Sequence, residues 1–263
     1  MTEEEVYREL QEHLDKLPIG YPATDSGVEI RILKYIFSPE EAQIAIKLGF
    51  MPENIQQIYP RINESALSME ELEQTLEKMF DKGAINSYTI KDKSGEKIKY
   101  YSNAQLAIGM LEYKMGDLSK EFCEDFERYM HEEGFLEEMT RTKIPQFRTI
   151  PLNEKVTFDN QVATYDDVRK IIEGARGPFA LSDCVCRKGK DVLGRPCQVT
   201  KLRDICMQFG MAAEMYIEKG FGREVTREEA LKNLDIAERD GLVVSPGNAI
   251  YPPFICLCCG CCC

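Results

Sequence analysis

The stretch SMEELEQTLEKMFDKGAINSYTIKDKSGEKIKYY, from Ser68 to Tyr101, decides the reading of the front half of this chain. Ser68-Met69-Glu70-Glu71 is a capping box, in which a hydroxyl and a carboxylate satisfy each other's free backbone N–H groups at a helix start. Leu72, Leu76, Met79 and Phe80 then recur at helical spacing, and Gly83 closes the helix. Ala84 to Ile90 and Lys97 to Tyr101 read as two strands with a turn around Ser94-Gly95, so a hairpin follows the helix. Working upstream, Ser38-Pro39-Glu40-Glu41 is a second box with proline at the first helical position. It opens a helix carrying Ala42, Ile44, Ala45 and Leu48. Before it, Ile30, Leu33, Ile36 and Phe37 mark one helix. Val6, Leu10, Leu14 and Leu17 mark another behind Thr2, ended by Pro18 and Gly20. Helices followed by a hairpin make a winged helix-turn-helix pattern.

The pattern does not by itself mean DNA. Duplex binding rests on Lys and Arg neutralising phosphates. The helix before the hairpin carries Glu70, Glu71, Glu73, Glu77 and Asp81 against Lys78 and Lys82. Such a face repels a phosphate backbone. Lys91, Lys93, Lys97 and Lys99 on the hairpin pull the other way, but lysines on an exposed hairpin also blunt a strand edge. The reading favours a protein-protein module over nucleic acid.

From Leu106 to Thr140 the sequence predicts one or two further helices, through Ile108 and Leu111, then Phe122, Phe126, Tyr129, Met130 and Phe135. Cys123 reads as a small buried hydrophobe. His13 and His131 lack partners at metal spacing and read as surface residues. Pro145 and Pro151 punctuate a linker, which sets two domains: 1–145, helical and winged-helix-like, and 146–263, small and cysteine-rich. In the second, Thr149 to Leu152 looks extended. Thr164-Tyr165-Asp166-Asp167 caps a helix through Val168, Ile171 and Ile172. Pro178 to Ser182, Cys206 to Gly210 and Leu242 to Val244 read as strands, and Thr226-Arg227-Glu228-Glu229 reads as another capping box. The fold class is α+β, with cysteines at strand ends and in loops.

The chain has 263 residues, a net charge of −12 and 11 cysteines, with no Trp and two His. Cys184, Cys186, Cys197 and Cys206 lie close in sequence. Cys256, Cys258, Cys259, Cys261, Cys262 and Cys263 end the chain. A disulfide framework spreads its cysteines so that each bridge closes a loop, which this layout does not do. The acidic N-terminus has no secretory features, and no stretch approaches the roughly 18 apolar residues of a membrane helix. The expectation is a soluble cytoplasmic protein whose thiols are reduced or hold metal. A tail of reactive thiols also suggests a chain cut short of a longer protein.

Thiolates are soft ligands that select zinc, copper(I) or iron-sulfur clusters. Structural zinc sites favour two C-x2-4-C pairs, or one pair with histidines. Cys184 and Cys186 are one residue apart, Cys197 and Cys206 are distant, and no His is near, so the spacing suits zinc poorly. Cys256, Cys259 and Cys262 form C-x2-C-x2-C, the register in which a short loop holds three irons of a [4Fe-4S] cubane. Cys258 and Cys261 form an interleaved pair, and the upstream four can supply a remote fourth ligand. All ten thiols are thus candidate metal ligands, enough for one or two [4Fe-4S] clusters. Gly194 and Gly260 suit loops whose backbone comes close to a metal centre, and Arg187 and Arg195 could offset its negative charge. No P-loop, dinucleotide fingerprint, zincin motif or nucleophile-base pair is present.

The runs from Asp183 to Lys188, Gly194-Arg195-Pro196-Cys197, Cys206 with Phe209-Gly210, Gly222 to Ala230, and Phe254 to Cys263 resemble a group of iron-sulfur proteins of anaerobic bacteria and archaea. These are described as 4Fe-4S ferredoxin-type or 4Fe-4S binding proteins. The resemblance covers most of the chain and implies cluster binding and a redox partner protein. Family members continue into a ferredoxin module with two C-x2-C-x2-C-x3-C-P runs, which this sequence lacks. The leading expectation is therefore an electron-transfer protein or an accessory subunit of an anaerobic redox system. Its acidic surface suits docking to a basic patch. The alternatives are a redox- or metal-responsive winged-helix regulator and a zinc-stabilised interaction domain.

Overall fold

Local capping chemistry starts the first helices. In a computed structural model that describes residues 2–62, 67–141, 145–150 and 168–263, Thr2 and Glu5 exchange hydrogen bonds at the head of α1 (Glu3–Leu14). α2 (Val28–Ile36) follows Gly27, whose φ of 67° suits glycine. Ser38 and Glu41 form the reciprocal box that opens α3 (Pro39–Ala45). Contacts divide the chain into two units, Met1–Arg141 and Thr142–Cys263. The architecture is α+β, with two antiparallel sheets among the described residues.

In the first unit, two elements appear that the sequence pattern did not announce: β1 (Glu53–Asn54) and α4 (Ile55–Ile62), which contains Pro60. Ser68 and Glu71 then cap α5 (Met69–Asp81), which buries Leu72, Leu76, Met79 and Phe80. The hairpin β2 (Ile85–Lys91) and β3 (Lys97–Asn103) comes next. β1 pairs with β3, so the sheet order is β1-β3-β2.

The helix expected through Ile108 does not form. Ala107 and Ile108 have extended dihedrals, and the Gly109 N–H donates to the Glu112 carboxylate at 2.7 Å. The Met110 and Leu111 N–H groups reach back five residues to the Gln105 and Leu106 carbonyls, and regular helix begins only with the single turn α6 (Leu111–Tyr113). α7 (Lys120–His131) and α8 (Phe135–Thr140) complete the unit, with Cys123 buried as expected. His131 is exposed. His13 is half-buried, with its Nε2 2.8 Å from the Leu48 carbonyl, and is not a free surface residue.

The second unit runs α9 (Val168–Gly174), β4 (Phe179–Asp183), α10 (Val185–Val192), β5 (Asp204–Phe209), α11 (Met211–Glu218), β6 (Gly222–Val225), α12 (Arg227–Arg239), β7 (Val243–Pro246) and β8 (Phe254–Cys258). The five strands form one antiparallel sheet in the order β6-β4-β5-β8-β7. The two-residue period of a strand sorts its side chains between two faces. Phe179, Leu181, Ile205, Met207, Phe209, Val244, Ile255 and Leu257 join Val168 and Ile172 of α9 and Ala230, Leu234 and Ala237 of α12 in one core. The opposite face is left to Ser182, Cys206, Gln208, Ser245, Cys256 and Cys258.

Some expected elements are altered or incomplete. Ile150 pairs with Val244, but Pro151, Leu152 and the Thr164 to Asp167 cap lie outside the described residues. Thr226 accepts from the Glu229 N–H, but the box is half made because the Glu229 carboxylate is held by Arg223 at 2.6 Å. Helices α10 and α11 and strands β6 and β8 were not expected. Cys186 therefore sits in the first turn of a helix, not in a loop.

Candidate metal centre

Strand register brings distant cysteines together. Ser182 of β4 lies opposite Cys206 of β5, and Ser245 of β7 lies opposite Cys256 of β8. Between them, β5 and β8 pair through Met207 with Ile255 and Gln208 with Phe254. One step further in that register sets Cys206 across from Cys256. Cross-strand neighbours on one face have Cβ atoms about 5 Å apart, which lets two thiols meet. Cys258 is two residues beyond Cys256 and shares its face. At the end of β4 the chain breaks register and turns into α10, with Cys184 at its N-cap and Cys186 in its first turn.

The result is a closed ring of six thiols. Cys184 interacts with Cys186 and Cys206, Cys256 with Cys206 and Cys258, and Cys263 with Cys186 and Cys258. Cys263 returns to the ring because the tail turns back on itself. The N–H groups of Cys262 and Cys263 both donate to the Cys259 carbonyl. Each thiol in the ring has two neighbours. Cys184 and Cys258, at opposite corners, are held well below the usual thiol range by hydrogen bonds from their thiol neighbours, against the effect of burial. The Arg187 backbone N–H and guanidinium add to this at Cys184, and the Ser245 hydroxyl adds to it at Cys258. Cys186 and Cys206 are pushed up, chiefly because their protons bond Cys184 and then by their other thiol neighbours and burial.

The same turn gathers a second group. The sulfurs of Cys197, Cys259, Cys261 and Cys262 all lie within 4.8 Å of one another and could hold a metal ion. Cys197 is 3.7 Å from Cys259 and 3.6 Å from Cys261, which is itself 3.7 Å from Cys259 and 3.6 Å from Cys262. The loop bearing Cys197 is fixed at several points. Arg203 grips Asp191 with two hydrogen bonds of 2.6 and 2.8 Å, and Thr200 donates to Asp240 at 2.7 Å. Burial raises the Cys197 thiol, but the N–H groups of Thr200 and Val199, with Arg187 and Cys261, bring it down to about 6. The Gln198 N–H lowers Cys261 in the same way. Burial raises Cys259 and Cys262.

Arg187 joins the two groups. It is 0% exposed, and its Nη2 donates to the Leu257 carbonyl at 2.8 Å. Nε and Nη1 are buried with no hydrogen bond of their own. Burial works to lower its pKa, but the thiols of Cys184, Cys197 and Cys259 raise it overall. A charge buried in a protein is costly unless it is paired. The structure therefore places a permanent cation where thiolates, and the negative charge of a thiolate-bound metal, would otherwise be uncompensated.

The ten candidate cysteines thus all meet, but not in the grouping that spacing suggested. C-x2-C-x2-C does not act as a unit: Cys256 faces the ring, whereas Cys259 and Cys262 belong to the group of four. The reason is β8, which keeps Cys256 and Cys258 on one face and ends before Cys259. Gly194 takes φ 71° to close α10, with its N–H on Asp191 O and that of Arg195 on Lys190 O. That is a helix C-terminus, not a close approach to metal. Arg195 is exposed, and Arg187 is the arginine buried between the thiols. Comparison with protein-family models, curated proteins and solved structures finds no match to this chain.

Proposed function

We propose that this chain is an iron-sulfur protein that passes electrons to and from a partner protein, with the ring of six thiols as its cluster site. The observation that carries this reading is the ring itself: six thiols from two strands, a helix start and the chain end, converging on one space. Cys184, Cys186, Cys206, Cys256, Cys258 and Cys263 offer more sulfur than a single [4Fe-4S] cluster needs. Soft donors without His or carboxylate suit iron-sulfur chemistry. The family resemblance of the cysteine runs points the same way.

Such a cluster supplies one-electron oxidation and reduction when bound. The chain's own part is to hold the thiolates at fixed corners, keep one side of the site on a dry sheet, and set a guanidinium beside it. A fixed positive charge favours the more negative, reduced state and so raises the potential. A net charge of −12 suits encounter with a basic partner surface.

We read the first unit as a winged-helix module that docks protein. Glu70, Glu71, Glu73 and Asp81 are exposed on α5, where a duplex would have to approach. Lys99 of the hairpin is engaged by Glu77 at 2.5 Å. No helix among the described residues is long and apolar enough to cross a membrane.

The test is reversible reduction under anaerobic conditions. The purified chain should be brown, bleach with dithionite, and give the electron-paramagnetic signal of a reduced cluster. A protein that shows no visible absorption and takes up no electron would end this reading.

A further inference from the structure

The two thiol groups differ in a way that bears on what each can hold. In the group of four, four of the six sulfur pairs stand 3.6–3.7 Å apart and all four sulfurs fall within 4.8 Å of one another. A single tetrahedral ion with metal–sulfur bonds of about 2.3 Å has sulfur–sulfur edges of about 3.8 Å, by the geometry of the tetrahedron. The two spacings agree. Thiolates on the four irons of a cubane cannot sit this close, because the cluster stands between them and each sulfur caps a different corner. In the ring, each thiol interacts most strongly with its two neighbours. Among the described residues, no three of its thiols come within the mutual distance that marks the group of four.

We propose that Cys197, Cys259, Cys261 and Cys262 hold one mononuclear metal ion in a tetrahedral tetrathiolate site, separate from the polynuclear centre of the ring. The ion is zinc or iron, which share this donor chemistry. A further observation supports a built site. Arg187, wholly buried, stands against Cys197 and Cys259 with two nitrogens otherwise unpartnered. A divalent ion with four thiolates carries two negative charges, which this guanidinium partly offsets. The ion would tie the Cys197 loop to the chain end. That constraint also fixes Cys263 for the ring. Spacing alone argued against zinc because it counted Cys184, Cys186 and Cys206, which belong elsewhere.

The inference shares with the proposed function the premise that these thiols bind metal, but it does not need a cluster in the ring. It is tested with the full chain purified anaerobically, by metal and acid-labile sulfide analysis and X-ray absorption at the metal edge. Cys261→Ser should lose one metal per chain and keep its sulfide. A variant with Cys184→Ser, Cys206→Ser and Cys256→Ser together leaves three ring thiols, too few for a cubane; it should lose sulfide and keep one metal, with sulfur neighbours at about 2.3 Å and no metal–metal scattering. Visible absorption of that retained ion marks iron, and its absence marks zinc. In the unmutated chain, the solvent-exposed Cys261 should resist alkylation until a strong chelator is added, a readout that needs no variant to fold. One zinc without sulfide would end the cluster reading and leave this inference standing. Loss of sulfide in Cys261→Ser, metal–metal scattering in a triple ring variant that has lost its sulfide, or rapid alkylation of Cys261 before chelation would overturn it.

Discussion

Replacing Arg187 with methionine removes the charge between the two thiol groups while keeping much of the side chain's volume. Arg187 is 0% exposed, holds the Leu257 carbonyl at 2.8 Å and lies against Cys184, Cys197 and Cys259. Breaking a buried charge pair by removing one partner costs about 3–5 kcal/mol. The Leu257 carbonyl, left without its donor, adds about 1 kcal/mol or more. Part of this loss is already felt in the metal-free chain, through thiolates that then take up protons. Taking only about 3 kcal/mol as the loss in metal binding, and 1.4 kcal/mol per tenfold, the variant should bind metal at the four-thiol group roughly 100-fold more weakly. Competition with a chromophoric chelator under anaerobic conditions measures this directly. Arg187→Lys keeps a charge but loses the planar fork, so it should fall between the two. If Arg187→Met holds metal within about threefold of the unmutated chain, the guanidinium is not balancing thiolate charge and the electrostatic account of the site fails.

Three further outcomes follow from the same geometry. Ile255 is 0% exposed and belongs to the core, on the face of β8 opposite Cys256 and Cys258; Ile255→Ala should cost about 2–5 kcal/mol in urea unfolding, and a loss under 1 kcal/mol would show that the strand is not anchored there. Asp191 is held below the usual carboxylate range chiefly by hydrogen bonds from Arg203, against burial, with the Arg203 and Lys188 charges helping. A depressed folded-state pKa means that its contribution is complete above about pH 3.9 and is lost as pH falls through the lowered value. Asp191→Asn should therefore destabilise by no more than about 1 kcal/mol at neutral pH, and the difference from the unmutated chain should vanish in stronger acid; a difference that persists there would refute the ion-pair origin. The acidic outer face of α5 predicts no gel shift of a random DNA duplex even at low salt, and a salt-sensitive shift would restore the regulator reading.

The parts of the fold that were legible in the sequence are those set by neighbouring residues. Ser38 with Glu41 and Ser68 with Glu71 satisfy each other within one turn, and the Ser94-Gly95 turn joins two strands close in sequence. β1 is only two residues long and exists because β3 offers it an edge, so nothing local marks it. α4 has Pro60 inside it, a residue that ordinarily breaks a helix, so the local sequence does not mark this one. At the site, the ten cysteines were found because thiols clustered at one end of a chain are conspicuous. Their grouping was not, because it depends on sheet register. The signal was available in Ile255 and Leu257, which alternate with Cys256 and Cys258 in strand fashion. The three-residue repeat of a cluster loop runs through the same residues, and only the strand pairing decides between the two patterns. Arg187 is legible in the sequence as a charge beside the thiols, but its burial and its hydrogen bond to the Leu257 carbonyl of β8 follow only from the fold.

We propose that these ten thiols hold two metal centres of different kinds, and iron, zinc and acid-labile sulfide counted per chain after anaerobic purification decide it. The expected result is iron and sulfide in matching amounts, together with one further metal ion per chain that has no sulfide of its own. A colourless protein with stoichiometric zinc and no labile sulfide, or metal fully matched by sulfide, would contradict it.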